Sequence, residues 1–361
     1  MKGESRAVCT ISKKMNSVMI KEALSKKDVR FDDIVSRATD IEAKRKDYLI
    51  KDVSKNLWMD ENDGTLSFCH QLSNGSYDTD NMPATSWALS QLSVKLGMPS
   101  GYAEKCIERN HPDLAADNIN TWLTEQNGSK RKKHTDYFVR TYDGKIDGIL
   151  SSGYTAFDTT KILDVLKKSI NVDDYHIVGS YISDERMHLR LIRDELLDVD
   201  DEDLYPGIFI DSSDVGRTAL HMSFGVWKKV CTNGLCISKA GGVLYHQRHM
   251  GISPLEVETE FVNRVRMIPT LIERSETIIK NARGEKLNLN DEKVFDKMLH
   301  DIRRFSKMSD DDARKVIDLA RARYGMTRWG VVNSMTEIAQ NFELDDRIRI
   351  ENAAGMLISA V

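Results

Sequence analysis

The stretch Gly207–Ser238, GIFIDSSDVGRTALHMSFGVWKKVCTNGLCIS, constrains the fold of this chain more than any other segment. Leu220, Met222, Phe224 and Val226 alternate with Ala219, His221, Ser223 and Gly225. Period-two alternation predicts a strand with one buried and one semi-polar face. Asn233–Gly234 lies between β-prone flanks, the strongest short-range hairpin signal, and predicts a two-residue turn that sets Cys231 opposite Cys236. A second turn is predicted at Asp211–Arg217, where Asp and Ser side chains bond their own backbone and Gly216 supplies a positive φ. The stretch therefore reads as an antiparallel meander.

The rest of the chain extends that sheet and adds helices. Residues 1–60 form a charged, helix-prone N-terminal segment with Phe31, Ile34, Ile41 and Tyr48 on a loose apolar stripe. Residues 61–255 form an α+β core whose strands fall mainly in 135–250. Within it, Asn74–Asp80 reads as a loop, and Leu89, Leu92 and Leu96 share a helical face broken at Gly97 and Pro99, an α-hairpin corner with a superficial likeness to a DNA-reading helix-turn-helix. Tyr137–Thr141, Ile146–Ser152 and Asp174–Arg193 supply strands, and Thr159–Ile170 a helix. Residues 256–361 are helical: Glu256–Asn281 broken near Pro269, Asp291–Phe305, a third helix capped by Ser309 with Asp312 and closed by Gly325, and two more to the end. The expected class is α+β, a mostly antiparallel central sheet with a helical N-terminal segment and a helical C-terminal domain.

Composition sets limits. Apolar residues make up 40% and charged residues 30% of 361, with a formal net charge of −4. No apolar run approaches the ~18 residues of a membrane helix, and MKGESRAVCTISKK lacks the apolar core of a secretory signal. Five scattered cysteines argue against a disulfide framework, so a cytoplasmic protein is expected, with Cys231 and Cys236 as buried thiols. Cys231, Cys236, His246 and His249 run C-x4-C-x9-H-x2-H, which misses zinc-finger spacing; no metal and no cofactor are expected. The charge is uneven: Asp194–Asp203 holds seven carboxylates in ten residues, Ser129–His134 reads SKRKKH, and Phe261–Gly330 carries 16 Lys/Arg against 11 Asp/Glu.

Short motifs recur in a definite order: Gln91-Leu92, Leu96-Gly97-Met98-Pro99 and Tyr102; Arg140-Thr141 and Gly144; Ser151, Tyr154 and Asp158; Asp211-Ser212 and Val215-Gly216; Val230-Cys231-Thr232-Asn233-Gly234; His249 and Gly251; Trp329-Gly330, Asn333-Ser334 and Thr336-Glu337. Over roughly residues 65–355 this pattern resembles a phage- and plasmid-borne family of uncharacterised proteins, the domain of unknown function 932. Three positions depart from it: Asp147 stands where a basic residue is expected, Gly153 where a charged one is usual, and Asp211 where asparagine is common. The resemblance implies mobile elements, a bacterial host's cytoplasm, and genes of replication and recombination.

Three functional classes follow. The leading expectation is a DNA-metabolism protein that binds single-stranded DNA, for annealing or recombination, as a homo-oligomer and away from membranes. Its interface is expected at Lys130, Arg131, Lys132, Lys133, Arg140, Tyr154, Arg217, Lys228, Lys229 and Arg248, where cations neutralise phosphates and aromatic rings stack on bases. The second is an enzyme hydrolysing nucleic acid or a nucleotide, with Asp211, Asp214, Arg217 and His249 as candidate catalytic residues. The third is an anti-defence protein that binds a host protein. Asn333, Thr336 and Glu337, on one helical face, are read either as lining a cleft or as capping a strand end.

Overall fold

The computed structural model describes residues 27–125, 135–178, 180–193, 196–199, 204–228, 233–236, 243–251 and 253–359. The chain begins with β1 (Lys27–Val29), α1 (Phe31–Ala43), β2 (Arg45–Ile50), α2 (Val53–Asn56), β3 (Leu57–Met59), β4 (Leu66–Gln71) and β5 (Tyr77–Met82). Helices α3 (Ser86–Lys95), α4 (Tyr102–Glu108) and α5 (Pro112–Glu125) precede β6 (Tyr137–Tyr142), β7 (Lys145–Ser151) and α6 (Thr159–Ser169). Then come β8 (Tyr175–Val178), β9 (Tyr181–Ile182), β10 (Met187–Arg193), β11 (Leu204–Ser212), β12 (Leu220–Lys228), β13 (Asn233–Cys236) and β14 (Val243–Gln247). The chain closes with α7 (Pro254–Val265), α8 (Ile268–Gly284), α9 (Glu292–Ser306), α10 (Asp310–Leu319), α11 (Arg328–Ala339) and α12 (Leu344–Ser359).

Among the described residues the strands form three antiparallel sheets, as an α+β fold requires. The main sheet has eight strands in the order β1-β8-β10-β11-β12-β13, with β9 on β10 and β14 on β12. Sheets β2-β6-β7 and β3-β4-β5 stand apart from it. Leu220, Met222, Phe224 and Val226 are buried in one large core with Met187, Leu189 and Leu191, as the alternation predicts, but the opposite face is also covered, with Ser223, Gly225 and Trp227 buried. Helices α1 and α6 add Ile34, Phe31, Ile162 and Leu166 to that core, and the C-terminal helices add Ile302, Ile317, Val331 and Ala354. A second core joins the two small sheets to α3 and α5 through Phe68, Leu92, Ile119, Val139 and Ile149.

Local signals place the helix ends. Ser253 and Glu256 cap α7 reciprocally, and Ser309 accepts from the Asp312 amide at the start of α10. The long C-terminal helix is split, with Pro269 in the first turn of α8, where its missing N–H costs nothing. Gly325 follows a π-helical turn after α10.

Three expectations change. The helical stripe ends at Ile41; Tyr48 lies on β2, which pairs with β6 along its whole length, so residues 45–50 and 57–59 are strand. Tyr77–Asp80 belong to β5 rather than to a loop. The hairpin between β12 and β13 exists, but Lys228 pairs with Asn233 and Trp227 with Gly234. Asn233–Gly234 is therefore in the strand and not its turn, and Cys236 pairs with Gly225; residues 229–232, Cys231 among them, lie outside the described residues. Ladder pairing against the nine-residue β12 overrides a two-residue turn preference, because a register slip would move the whole strand to the wrong face.

Candidate functional site

The turn between β11 and β12 is a point of convergence. Its backbone carbonyls are claimed by four side chains from three other segments. Arg140 Nη1 and the Tyr154 hydroxyl donate to the Asp214 carbonyl at 2.8 and 2.9 Å. Trp87 Nε1 and Gln91 Nε2 donate to the Val215 carbonyl at 3.0 and 2.9 Å. Gln91 Oε1 in turn accepts from the Ile149 amide at 2.8 Å, tying the edge of β7 to the same turn. Ser213 Oγ donates to the Glu185 carbonyl and accepts from the Arg217 amide at 2.9 Å. Gly216 has φ +73°, a conformation that favours glycine, and a Cβ there would stand 2.7 Å from Leu150 Cδ2, so that methyl would have to move.

Charge holds the turn from below. Arg140, 1% exposed, makes two-pronged bonds to Asp47 (2.8 and 2.9 Å) and to Asp158 (2.6 and 2.7 Å). This fork geometry is what a planar guanidinium offers two carboxylates. Asp158 sits at the N-cap of α6 but is engaged by Arg140, so Asp214 caps the helix instead, its Oδ1 accepting from Thr159 N and Oγ1 at 3.0 and 2.9 Å. Asp214 Oδ2 takes Arg45 at 2.6 Å. Asp147, the extra residue of a bulge opposite Arg140 and Thr141, is 1% exposed with neither carboxylate oxygen hydrogen-bonded. Burial pushes its pKa up to about 7, against the pull of Arg45 at 3.7 Å and of Arg140.

A second network lies on the polar face of β10 and β11. Arg190 Nε donates to His188 Nε2 at 2.9 Å, so His188 carries its proton on Nδ1 and donates to Asp211 Oδ1 at 2.8 Å. Arg186 donates to the same oxygen at 3.1 Å and also pairs with Asp345. Burial alone would raise the Asp211 pKa, but His188 and Arg186 hold it down to about 2. Arg190 pairs with Glu351 of α12, which also takes Arg347 at 3.0 Å, so the last helix is bolted to the sheet by ion pairs.

Aromatic rings stack beside the first network. Phe138, Tyr154 and His249 form a near-parallel series, with centroids 6.0 and 5.3 Å apart and planes at 20° and 16°. Phe138 is partly exposed, and Leu49, directly across from it on β2, is 47% exposed. Arg248 and Met250, flanking His249, are exposed as well. His249 is buried with Nε2 unpartnered, and burial lowers its pKa.

The structure thus sorts the expected site residues. Asp211 and Asp214 are spent on ion pairs and on a helix cap, and Asp211, held ionised near pH 2, has the wrong pKa for a general acid at neutral pH. Arg217 pairs with Glu185 and lies over the Trp87 ring. Arg140 is buried and saturated, and so gives no phosphate contact without dismantling the clamp. Tyr154 lies within the stack and Arg248 reaches solvent. Lys228 lies on β12, while Lys130, Arg131, Lys132, Lys133 and Lys229 fall outside the described residues. Asn333 and Thr336 donate to carbonyls of their own helix, and Glu337 takes Arg323 and Tyr324. Sequence reasoning missed Arg45, Asp47, Phe138, His188 and Arg190. The signal for His188 and Arg190 was present, since they alternate with Met187, Leu189 and Leu191 in a strand buried on both faces.

Fold and site together define an antiparallel α+β protein built around one clamped polar turn with an aromatic stack at its side. The chain belongs to the family described as Domain of unknown function (DUF932), which matches residues 148–354. No match is found among curated proteins or among solved structures. Among the described residues, no helix is long and apolar enough to cross a membrane.

Proposed function

We propose that the protein binds single-stranded nucleic acid, in annealing or recombination of mobile-element DNA, by continuing its own ring stack onto unpaired bases. The observation that supports this reading is the Phe138–Tyr154–His249 series, near-parallel, with the partly exposed Phe138 next to the exposed Leu49 at one end and the exposed Arg248 and Met250 flanking His249 at the other. Stacking is tolerant of sequence because every base has a π face, and a rigid ladder of rings loses little entropy on binding. The reading drops Arg140 as a phosphate contact and assigns it to holding Tyr154 in place through the shared Asp214 carbonyl. Charge comes instead from Arg248 and from the SKRKKH run, which enters β6 three residues before Tyr137.

Fluorescence anisotropy with a labelled single-stranded oligonucleotide tests it. Binding is expected at low salt, falling steeply as salt is added. Phe138→Ala is expected to weaken it by about 5- to 150-fold, the equivalent of ~1–3 kcal/mol for one stacked base, with the unfolding midpoint little changed. Absence of binding at low salt, or equal affinity in Phe138→Ala, refutes the proposal. A hydrolytic role would show instead as oligonucleotide shortening, and host-protein binding as oligonucleotide-independent capture of a partner.

A further inference from the structure

One row of side chains crosses the main sheet without a break. Tyr181 on β9 pairs with His188 on β10, His188 with Asp211 on β11, Asp211 with His221 on β12, and His221 with His246 on β14. Directly opposed residues share a sheet face with Cβ atoms ~4.5–5.5 Å apart, so these five side chains form one line across the sheet from β9 to β14. The inner part of the row is fully committed: His188 and Arg186 both donate to Asp211 Oδ1, and Arg190 donates to His188. The outer part is not. His221 Nε2 is buried and has no hydrogen-bond partner, and the His246 ring stands 5.9 Å away, edge-on at 70°, with its residue exposed to solvent.

We propose that His221 and His246 are a binding site for a divalent transition-metal ion. Two imidazoles that each place a nitrogen about 2.1 Å from one ion put their ring centroids roughly 5–6 Å apart, and the observed spacing falls in that range. The ion gives the orphaned His221 nitrogen the partner it lacks. The charged and titratable groups that bear on His221 are Asp211 and His246, a carboxylate that favours a cation and the second ligand. Across the ladder from His221, Asp211 is fixed by His188 and Arg186. Among the described residues no three ligating side chains are already gathered, so water completes the shell, and the exposed His246 is the entry side. Imidazole ligands favour nickel, copper and zinc over magnesium or calcium. Occupancy ties β14 to β12 at His246, two residues before Arg248, and is independent of whether Arg248, His249 and Met250 stack on bases.

The test uses the full chain stripped with chelator, then titrated separately with nickel and zinc chloride by calorimetry at pH 7.5. One saturable equivalent is expected, weakened roughly tenfold or more by His246→Ala and by His221→Ala. His300→Ala, an exposed histidine on α9, is expected to bind as the wild type does. His246 is exposed, so its alanine variant decides the matter even if His221→Ala folds poorly. No saturable binding, or equal binding by His246→Ala, overturns the proposal and marks an adventitious ion only.

Discussion

Replacing Arg140 by alanine separates the two roles this residue was open to. The guanidinium is 1% exposed and makes four bonds to Asp47 and Asp158 and one to the Asp214 carbonyl. Removing one partner from a buried ion pair costs about 3–5 kcal/mol, mostly because charges are left enclosed and uncompensated. The Asp47 side chain is 35% exposed and regains water, whereas Asp158 at 16% and the Asp214 carbonyl do not regain it fully. The lower end of that range, about 3 kcal/mol, is therefore expected. Against a typical total of ~5–15 kcal/mol this is a large share. With a urea m-value of roughly 3 kcal/mol/M, the unfolding midpoint moves down by about 1 M at unchanged slope. Arg140→Lys keeps the charge but presents a single donor centre to two forks, so it recovers only part of the loss. Far-UV circular dichroism in urea reads both variants. A loss below about 1 kcal/mol for Arg140→Ala, or lost oligonucleotide binding at full stability, would mean that Arg140 faces a ligand and that the clamp is misread.

Two further outcomes follow from the same geometry. Asp147 has its folded pKa raised by burial to about 7, so its contribution to stability is present below about pH 4 and lost as pH rises to 7, on the order of 4 kcal/mol at most. Asp147→Asn should flatten stability over that window, and an unchanged pH slope in denaturation between pH 4.5 and 7.5 would show that the carboxylate finds a partner in solution. Gly216→Ala meets a φ of +73°, with Leu150 Cδ2 free to yield at 2.7 Å, and about 1–2 kcal/mol of destabilisation is expected; a melting temperature equal to wild type would refute the left-handed turn.

Much of the fold was legible in the residues because it rests on local rules. Period-two alternation in Leu220–Val226 places β12, Ser253 and Ser309 mark helix starts, and Pro269 marks the break between α7 and α8. The motif residues Gln91, Arg140, Tyr154, Asp158 and Val215 could be picked out in order but not interpreted. Only the tertiary structure shows that they meet at one turn, because hydrogen bonds such as Gln91 to the Val215 carbonyl join positions 124 apart. The same holds for charge. A string of residues cannot say whether an arginine meets water or two carboxylates, and Arg140 is decided by strand β2, which supplies Asp47 from 93 positions away. The Asn233–Gly234 turn failed for the converse reason, a local preference set aside by a ladder of non-local pairs. Alternation, caps and breaks are written in neighbours; burial, pairing register and the state of each charge depend on what the fold brings alongside.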